Sequence, residues 1–460
     1  MPIQKLRAAH KHMYPLAAFL FIALVILLFL SVIRASLFTP LEEEKKIWFE
    51  VSFLLFAAIL AEFLIVYIKQ PFVMSLLLLG VVLSPSFIDL AWPAISQTIS
   101  SISANSVFPI SLPATPPSIL AHNIAVLKTL AQFGAIILLF KIGLHSEVRQ
   151  IFTFKNFVVA LLGILVPFVC GYWFGELSGY SSAASLFFGA ALTATSVGVT
   201  VAILAEFKLL ERDFAKLLLG AAVIDDILAL LVLSFVSSSQ ALSLSSLAPL
   251  LQISLTALIF IVGGILLGRF IAENYVEARE KQISNRTFLG VMALMLTYAY
   301  VAEFIGLSAI VGAFIAGVTL NYSRFASRLA ETIFPLEALF TPIFFITLGM
   351  MVDVAALGPF LVPILLVTIL ALLTKLIGCG LAARLLGSSL NESVVVGIGM
   401  VPRGEIALII ALYGLTTGIL GAAEYTIITS MAFLTTLVTP PLLQKTVNYV
   451  LVHNSPRFSS

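Results

Sequence analysis

The chain has 460 residues, of which 60% are hydrophobic and 10% are charged, and its formal net charge is +2. Soluble domains are about 45–50% apolar and about 25% charged, so this composition excludes a soluble globular protein and indicates a polytopic protein of the lipid bilayer. The two cysteines, Cys170 and Cys379, lie in apolar segments and indicate small core residues rather than a disulfide or a metal site.

The N-terminal residues combine a basic segment with an apolar one. Residues 1–13 include Lys5, Arg7 and Lys11, and an apolar run from Tyr14 to Val32 follows. A signal peptide begins in the same way, but this run is longer than a usual hydrophobic region and no A-x-A cleavage site follows it. We therefore predict an extra transmembrane helix within 1–40, with a signal anchor as the alternative.

Further apolar segments follow, and most are long enough to span a bilayer. The predicted spans are 48–68, 71–90, 122–145, 157–177, 182–206, 214–238, 247–271, 287–304, 307–321, 333–352, 359–383, 391–415 and 424–446. The outer loop near 91–121 is rich in proline and is predicted to be irregular or interfacial. A charged loop near 272–286 divides the spans into six, a linker helix at 247–271 and six, which is typical of two inverted repeats.

Lysine and arginine are distributed unevenly between the two sides of this arrangement. With a cytoplasmic N-terminus, 18 of the 25 basic residues fall on the inner side and 4 on the outer side, and the rest lie within spans. Because cytoplasmic loops carry the excess of positive charge, this distribution predicts that the N- and C-termini are both cytoplasmic.

Two adjacent carboxylates, Asp225 and Asp226, stand in the middle of the span at 214–238. A carboxylate at mid-membrane costs roughly 3 kcal/mol on insertion scales. Neighbouring helix residues point about 100° apart, so the two side chains can address different partners. We interpret them as a cation or proton site in a transporter; a pair satisfied inside the bundle without a function is the alternative.

Two spans carry signals of an interrupted helix. The stretch ALTATSVGVT contains Thr193, Thr195 and Ser196, whose hydroxyls and freed carbonyls can ligate a small cation. The alternative is that these hydroxyls bond to the preceding turn of their own helix. The stretch GIGMVPRGEIAL carries Arg403 and Glu405 beside glycines and a proline. Each stretch is in the fifth span of its half, and matched interruptions indicate a midplane site.

Lys375 is the third charged feature inside a predicted span, at 359–383. Its long side chain can reach the interface by snorkelling, or it can form an ion pair with one of the aspartates. Glu62, Lys141, Glu303 and Glu337 each lie near a span end and are interpreted as structural.

With these residues in place, the chain resembles the bacterial sodium/proton antiporters of the monovalent cation:proton antiporter-2 family, of the Asp-Asp type. The resemblance covers nearly all of 48–446. Its motifs are Asp225–Asp226, the preceding TATSVG stretch, Lys375 and the PRGE sequence at 402–405. Potassium-efflux relatives typically have Gln-Asp in place of Asp-Asp.

The resemblance implies roles for particular residues. Asp226 carries the ion, Asp225 pairs with Lys375, and the charges of Arg403 and Glu405 support the crossed, unwound helices. Asp226 and Asp225 are then the acidic residues that face the monovalent cation, and no resident cofactor is expected.

The resemblance also implies a homodimer with a mobile core domain and a dimerisation domain, in a multi-pass protein of the bacterial inner membrane. The predicted divisions are the extra helix at 1–40, scaffold helices at 48–145, core helices at 157–238, the linker at 247–271, scaffold helices at 287–352, core helices at 359–446 and a cytoplasmic tail at 447–460.

The leading hypothesis is a secondary active transporter that exchanges a monovalent cation for protons by alternating access. Na⁺ is the first choice of cation, with Li⁺ and K⁺ as alternatives, and the resemblance implies electrogenic exchange. A K⁺/proton antiporter or a passive cation channel of the same fold stays open, whereas an organic-anion symporter does not need the two aspartates and the lysine. An intramembrane aspartyl protease has aspartates on two helices, commonly with a GxGD motif that this chain lacks. We therefore expect no enzyme and no nucleic-acid partner.

Overall fold

The computed structural model describes residues 43–68, 71–103, 124–146, 153–238, 247–271, 284–305, 307–321, 323 and 326–453. Every regular element in these ranges is a helix, so the predicted all-α class is confirmed. The predicted N-terminal helix within 1–40 and the last residues of the predicted tail lie outside the described residues.

The first nine helices of the described chain are α1 (Glu43–Ile68), α2 (Phe72–Val82), α3 (Pro85–Ser103), α4 (Ile124–Gly143), α5 (Phe154–Leu177), α6 (Ser182–Thr193), α7 (Val197–Glu206), α8 (Asp213–Ser238) and α9 (Leu247–Ile271). The next five are α10 (Asn285–Phe304), α11 (Ala309–Asn321), α12 (Ala326–Met350), α13 (Val354–Leu357) and α14 (Leu361–Lys375). A π turn (Leu376–Leu381) leads into α15 (Ala382–Leu385), and α16 (Leu390–Gly399), α17 (Glu405–Thr416) and α18 (Ala422–His453) complete the fold.

Within the described residues, 7 helical segments are long and apolar enough to cross a membrane, or up to 8 if one bent pair counts as a span. They are Val126–Gly143, Phe154–Leu177, Ser182–Glu206, Asn285–Phe304, Ala326–Met350, Leu361–Leu385 and Ala422–Val450. Shorter apolar helices lie in most of the other predicted spans. Two of these, α16 and α17, are the halves of one interrupted segment.

The segment 71–103 differs from its prediction. Instead of one span over 71–90, α2 ends at Val82 and α3 continues as far as Ser103, bent by 63° from α2. The predicted irregular or interfacial loop near 91–121 is helical as far as Ser103, and its remainder lies outside the described residues. Ser84 explains the new start because its hydroxyl accepts a hydrogen bond from the N–H of Phe87 at 3.2 Å. Pro85 then occupies the first helical position, where its missing N–H costs nothing.

The helices pack in two sets that share a central core. In the first set, α4 contacts α11 and α12, α12 contacts α1 and α2, and α11 contacts α9 and α10. In the second set, α5 contacts α6, α8 and α14, while α18 contacts α7, α14, α16 and α17. The largest apolar cluster draws buried residues from both sets, among them Leu139 of α4 and Val396 of α16. Burial of this surface holds the sets together.

An ion pair lies inside the first set. Lys141 of α4 donates to Glu337 of α12, and the ammonium lies 5.1 Å from the centre of the Phe334 ring. Two charges that the sequence places near span ends thus neutralise each other across a helix interface.

Glu206 joins the two sets at the end of α7. The N–H of Phe72, at the start of α2, lies 3.0 Å from both carboxylate oxygens of Glu206. The first N–H groups of a helix have no partner within the helix and carry positive partial charge. A carboxylate from the second set therefore caps a helix of the first set.

Replacing Glu206 by Ala should lower the stability of the folded protein by about 1 kcal/mol, because the start of α2 loses its cap. Thermal unfolding in detergent measures the change. Glu211→Ala is the control, since Glu211 is exposed and its ion pair with Lys216 spans 3.7 Å. Equal unfolding temperatures for the two variants would contradict a capping role.

Candidate functional site

The two adjacent aspartates of α8 face different surroundings. Asp225 is fully buried, and its Oδ1 accepts a hydrogen bond from Lys375 Nζ at 3.0 Å. Asp226 is 7% exposed and lines a cavity. Consecutive helix residues point about 100° apart. One helix can therefore direct Asp225 to the Lys375 ammonium and Asp226 to the cavity.

Gly163 of α5 lies beside the ion pair of Lys375 with Asp225 and makes room for the neighbouring thiol of Cys379. A Cβ atom at Gly163 of α5 would lie 2.4 Å from Cys379 Sγ, 3.6 Å from Lys375 Nζ and 3.9 Å from Asp225 Oδ1. The π turn begins directly after Lys375, and such turns are frequent at functional sites. Among the described residues, Asp225 Oδ2 is buried without a hydrogen-bond partner, so this part of the chain satisfies one oxygen of the carboxylate.

The first interruption separates α6 from α7 at residues 194–196. A backbone group of this interruption bonds to a second interruption, at residues 400–404. The N–H of Ser196 donates to the carbonyl of Pro402 at 2.7 Å. The Thr200 hydroxyl donates to the carbonyl of Gly399 at 2.7 Å. Backbone inside a bilayer must find hydrogen bonds within the protein, and the two broken helices supply them to each other.

The second interruption separates α16 from α17 at residues 400–404. The Arg403 guanidinium is buried and donates to the carbonyls of Met400 at 3.1 Å and Ala371 at 3.2 Å. A cation at the end of α16 also complements the negative end of the helix dipole. Arg403 thus contacts one carbonyl of the unwound segment and one of α14, and its role as a support of the unwound helices stays a prediction.

The cavity beside Asp226 has a volume of about 70 Å³ and reaches both interruptions. Its polar lining comprises Asp226, Thr195, Ser196 and Ser308. The rest of its wall is mostly apolar, including Phe344 of α12. One carboxylate and several hydroxyl oxygens form a set of hard ligands that suits a small cation.

The structure thus brings together Asp226, Thr195 and Ser196 at one cavity, and Asp225 with Lys375 beside it. Thr193 is not part of the lining; its hydroxyl donates to the carbonyl of Ala190 in its own helix at 2.7 Å. This is the back-bonding that the sequence leaves open, and a ligand role for Thr193 stays a prediction. Glu405 begins α17, and its side chain lies outside the described residues.

Several site residues do not stand out in the sequence. Thr436 is a hydroxyl residue in an apolar helix, where back-bonding is the ordinary expectation, and Ser308 directly precedes α11. Thr200 belongs to the ALTATSVGVT stretch, but its contact with Gly399 cannot be seen in the sequence. Gly163 is one of 28 glycines. Their positions follow from contacts between helices that are distant in sequence.

Gly404 allows the two interruptions to approach each other. A Cβ atom there would lie 2.6 Å from Ser196 Cβ and 2.7 Å from Ser196 Oγ. Gly404→Ala should therefore push the broken helices apart and destabilise the fold by about 1–3 kcal/mol, as thermal unfolding in detergent would show. Gly290→Ala is the control, because a Cβ there meets nothing within 4 Å. An unfolding temperature for Gly404→Ala equal to that of the wild type would show that the contact is not tight.

Comparison with known proteins places this geometry among transporters. The family model described as "Sodium/hydrogen exchanger, transmembrane" matches residues 51–448. The chain is 31% identical over 407 residues to the Na⁺/H⁺-K⁺ antiporter GerN of Bacillus cereus, covering 88% of this chain and 97% of the relative. It is 34% identical over 333 residues to the Na⁺/H⁺ antiporter of Enterococcus hirae, covering 71% of this chain and 85% of the relative.

Solved structures support the same fold. The sodium proton antiporter MjNhaP1 from Methanocaldococcus jannaschii superposes with a TM-score of 0.65 at 18% identity, covering 91% of this chain and 100% of that chain. The family match covers most of the sequence, including both interruptions, the aspartate pair and Lys375. The chain therefore belongs to the transmembrane sodium/hydrogen exchanger family.

Proposed function

We propose that this protein exchanges a monovalent cation for protons across the membrane by alternating access. The observation that carries the proposal is the position of Asp226, which lines a small cavity between two interrupted helices while its neighbour Asp225 is paired with Lys375. Relatives that are identical to this chain at about a third of the aligned residues are named a Na⁺/H⁺-K⁺ antiporter and a Na⁺/H⁺ antiporter.

A single carboxylate in such a cavity is sufficient for exchange. It holds either a proton or a cation, because each neutralises the same charge. If the cavity opens to one side of the membrane at a time, a bound cation leaves only when protons replace it. Buried ionisable residues in membrane proteins mark such ion and proton routes.

The net charge of the site favours a monovalent cation. Asp225, Asp226 and Lys375 together carry one negative charge when all are ionised, and one monovalent cation brings the sum to zero. We assign the protein to the Asp-Asp type of the monovalent cation:proton antiporter-2 family. The adjacent carboxylates with separate partners support this subtype, as does the absence of the Gln-Asp sequence of potassium-efflux relatives.

We assign the second helix set to the moving core, since it contains both interruptions and Lys375, and the first set to the dimerisation scaffold. Matching interruptions in two halves support inverted repeats. A homodimer in the bacterial inner membrane with cytoplasmic termini completes the proposal, and the uneven distribution of lysine and arginine supports the orientation.

The test is proton release from acid-loaded proteoliposomes, followed by a pH-sensitive dye while Na⁺, Li⁺ or K⁺ is added outside. Na⁺ is the expected substrate, and K⁺ has its own arm because one relative is named a Na⁺/H⁺-K⁺ antiporter. Cation movement without a coupled proton flux would identify a channel instead.

Asp226→Asn should abolish exchange while the protein stays folded, because an amide neither releases a proton nor offers a charge to the cation. Initial rates of dye recovery measure the loss. Asp213→Asn is the control, since Asp213 is an exposed residue at the start of the same helix. Substantial exchange by Asp226→Asn would exclude this carboxylate as the carrier.

Lys375→Gln should remove the response of exchange to membrane potential. Cation binding at Asp226 draws Asp225 towards the ion, and the released ammonium then carries an unpaired charge in a buried place, which favours loss of a second proton. Without this second carrier, exchange becomes one for one. The reversal point of exchange with and without a clamped potential reports the change.

The single variant leaves Asp225 buried without its cation, which strongly destabilises many proteins. Asp225→Asn combined with Lys375→Gln removes both charges and keeps Asp226, so it tests the same point if Lys375→Gln does not fold. Unchanged sensitivity to potential in a folded variant would show that Lys375 is structural.

A further inference from the structure

The backbone of Arg403 is held by two hydroxyls that come from another helix. The N–H of Arg403 donates to Thr435 Oγ1 at 3.3 Å, and Thr436 Oγ1 donates to the carbonyl of Arg403 at 2.8 Å. Both threonines belong to α18 and are buried, at 1% and 2% exposure. The side chains of Thr435 and Thr436 thus form hydrogen bonds with both the N–H and the carbonyl of Arg403.

The Thr436 hydroxyl has one proton to donate, and two carbonyl oxygens lie within hydrogen-bond distance of it. Ala432 O lies at 2.9 Å, close to the distance of Arg403 O. Ala432 O also accepts from Thr435 Oγ1 at 2.8 Å, and it is one helical turn before Thr436 on the same helix. The Arg403 carbonyl belongs to no helix ladder, so it has the greater need of the proton.

Nearby polar groups of this interruption are satisfied in other ways. The Pro402 carbonyl accepts from Ser196, and the Met400 carbonyl accepts from the Arg403 guanidinium. The Gly404 carbonyl accepts from Leu408 at 3.3 Å within α17. The hydroxyl pair thus supplies partners for both backbone polar groups of Arg403, the fourth residue of the segment.

The next turn of α18 contains two prolines, Pro440 and Pro441. Neither has an N–H, so the helix hydrogen bonds to the carbonyls of Thr436 and Leu437 are missing. The helix that holds the unwound segment therefore has less bonding of its own just after the threonine pair.

The hydroxyl pair is connected to the cavity through one residue. Gly404 follows Arg403, lines the cavity with Asp226, and lies in close contact with Ser196. A shift of the Arg403 backbone therefore moves Gly404, and with it the hydroxyl of Ser196 beside the carboxylate.

We infer that Thr435 and Thr436 are positioning residues for the cation, which act by fixing the unwound segment so that Gly404 and Ser196 keep their places beside Asp226. The inference rests on the proposed exchange function. It assigns to α18 a part in ion binding although neither threonine lines the cavity.

The test compares three variants in proteoliposomes and in detergent. Thr436→Val removes the donor with little change in volume and should raise the KM for Na⁺ about tenfold, as expected for the loss of a buried hydrogen bond. Thr436→Ser keeps the hydroxyl and should restore a KM near that of the wild type. Thr439→Val is the matched control, because Thr439 is fully buried in the same helix and, among the described residues, its hydroxyl bonds only to Thr435 O of that helix, at 2.7 Å.

A second measurement does not depend on transport. Na⁺ should raise the unfolding temperature of the wild type and of Thr439→Val, and the Na⁺ concentration that gives the same rise should be about tenfold higher for Thr436→Val. If Thr436→Val does not fold, Thr435→Val takes its place, since it removes the acceptor for the Arg403 N–H.

The results separate this inference from the proposed function. A wild type that exchanges no cation overturns the exchange function itself. A wild type that exchanges normally, with an unchanged KM in Thr436→Val or an equal shift in Thr439→Val, overturns the positioning role alone.

Discussion

Backbone that leaves a helix inside a bilayer must find its hydrogen bonds within the protein, and the site is organised around this constraint. The interruptions at 194–196 and 400–404 satisfy it by bonding to each other, through Ser196 to Pro402 and Thr200 to Gly399. The Arg403 guanidinium and two hydroxyls of α18 supply further partners. The cavity beside Asp226 lies where the two interruptions meet, with Ser196 and Gly404 in its wall.

The adjacent residues Asp225 and Asp226 lie in different electrostatic surroundings. An isolated carboxylate in an apolar interior is very costly, and a partner cation removes much of that cost. Asp225 has such a partner in Lys375, and Asp226 lines the cavity. One helix thus places its two adjacent carboxylates in different surroundings.

Much of this architecture could be predicted from the sequence. Apolar length located the helices, and Pro402 with its neighbouring glycines indicated the second interruption, because such residues cannot continue a helix. Hydropathy does not predict the bend between α2 and α3, because Ser84 and Pro85 lie inside an apolar run and start the new helix only by local capping. The hydroxyl contacts of Thr200 and Thr436 were missed for another reason. Whether a buried hydroxyl bonds to its own helix or to a neighbour depends on packing that hydropathy does not report.

The hydroxyls of α18 also bear on how the chain is made. Thr436 is 33 residues after Arg403, and Met400 is 205 residues after Thr195, whose hydroxyl lies 3.5 Å from its carbonyl. The ribosome adds about 5–20 residues per second. Thr436 is therefore made on the order of seconds after Arg403, and Met400 on the order of tens of seconds after Thr195. During that wait, a continuous helix over 182–206 is the form that satisfies its own backbone. The contacts around the cavity beside Asp226 are thus complete only late in biogenesis, once α18 has entered the membrane.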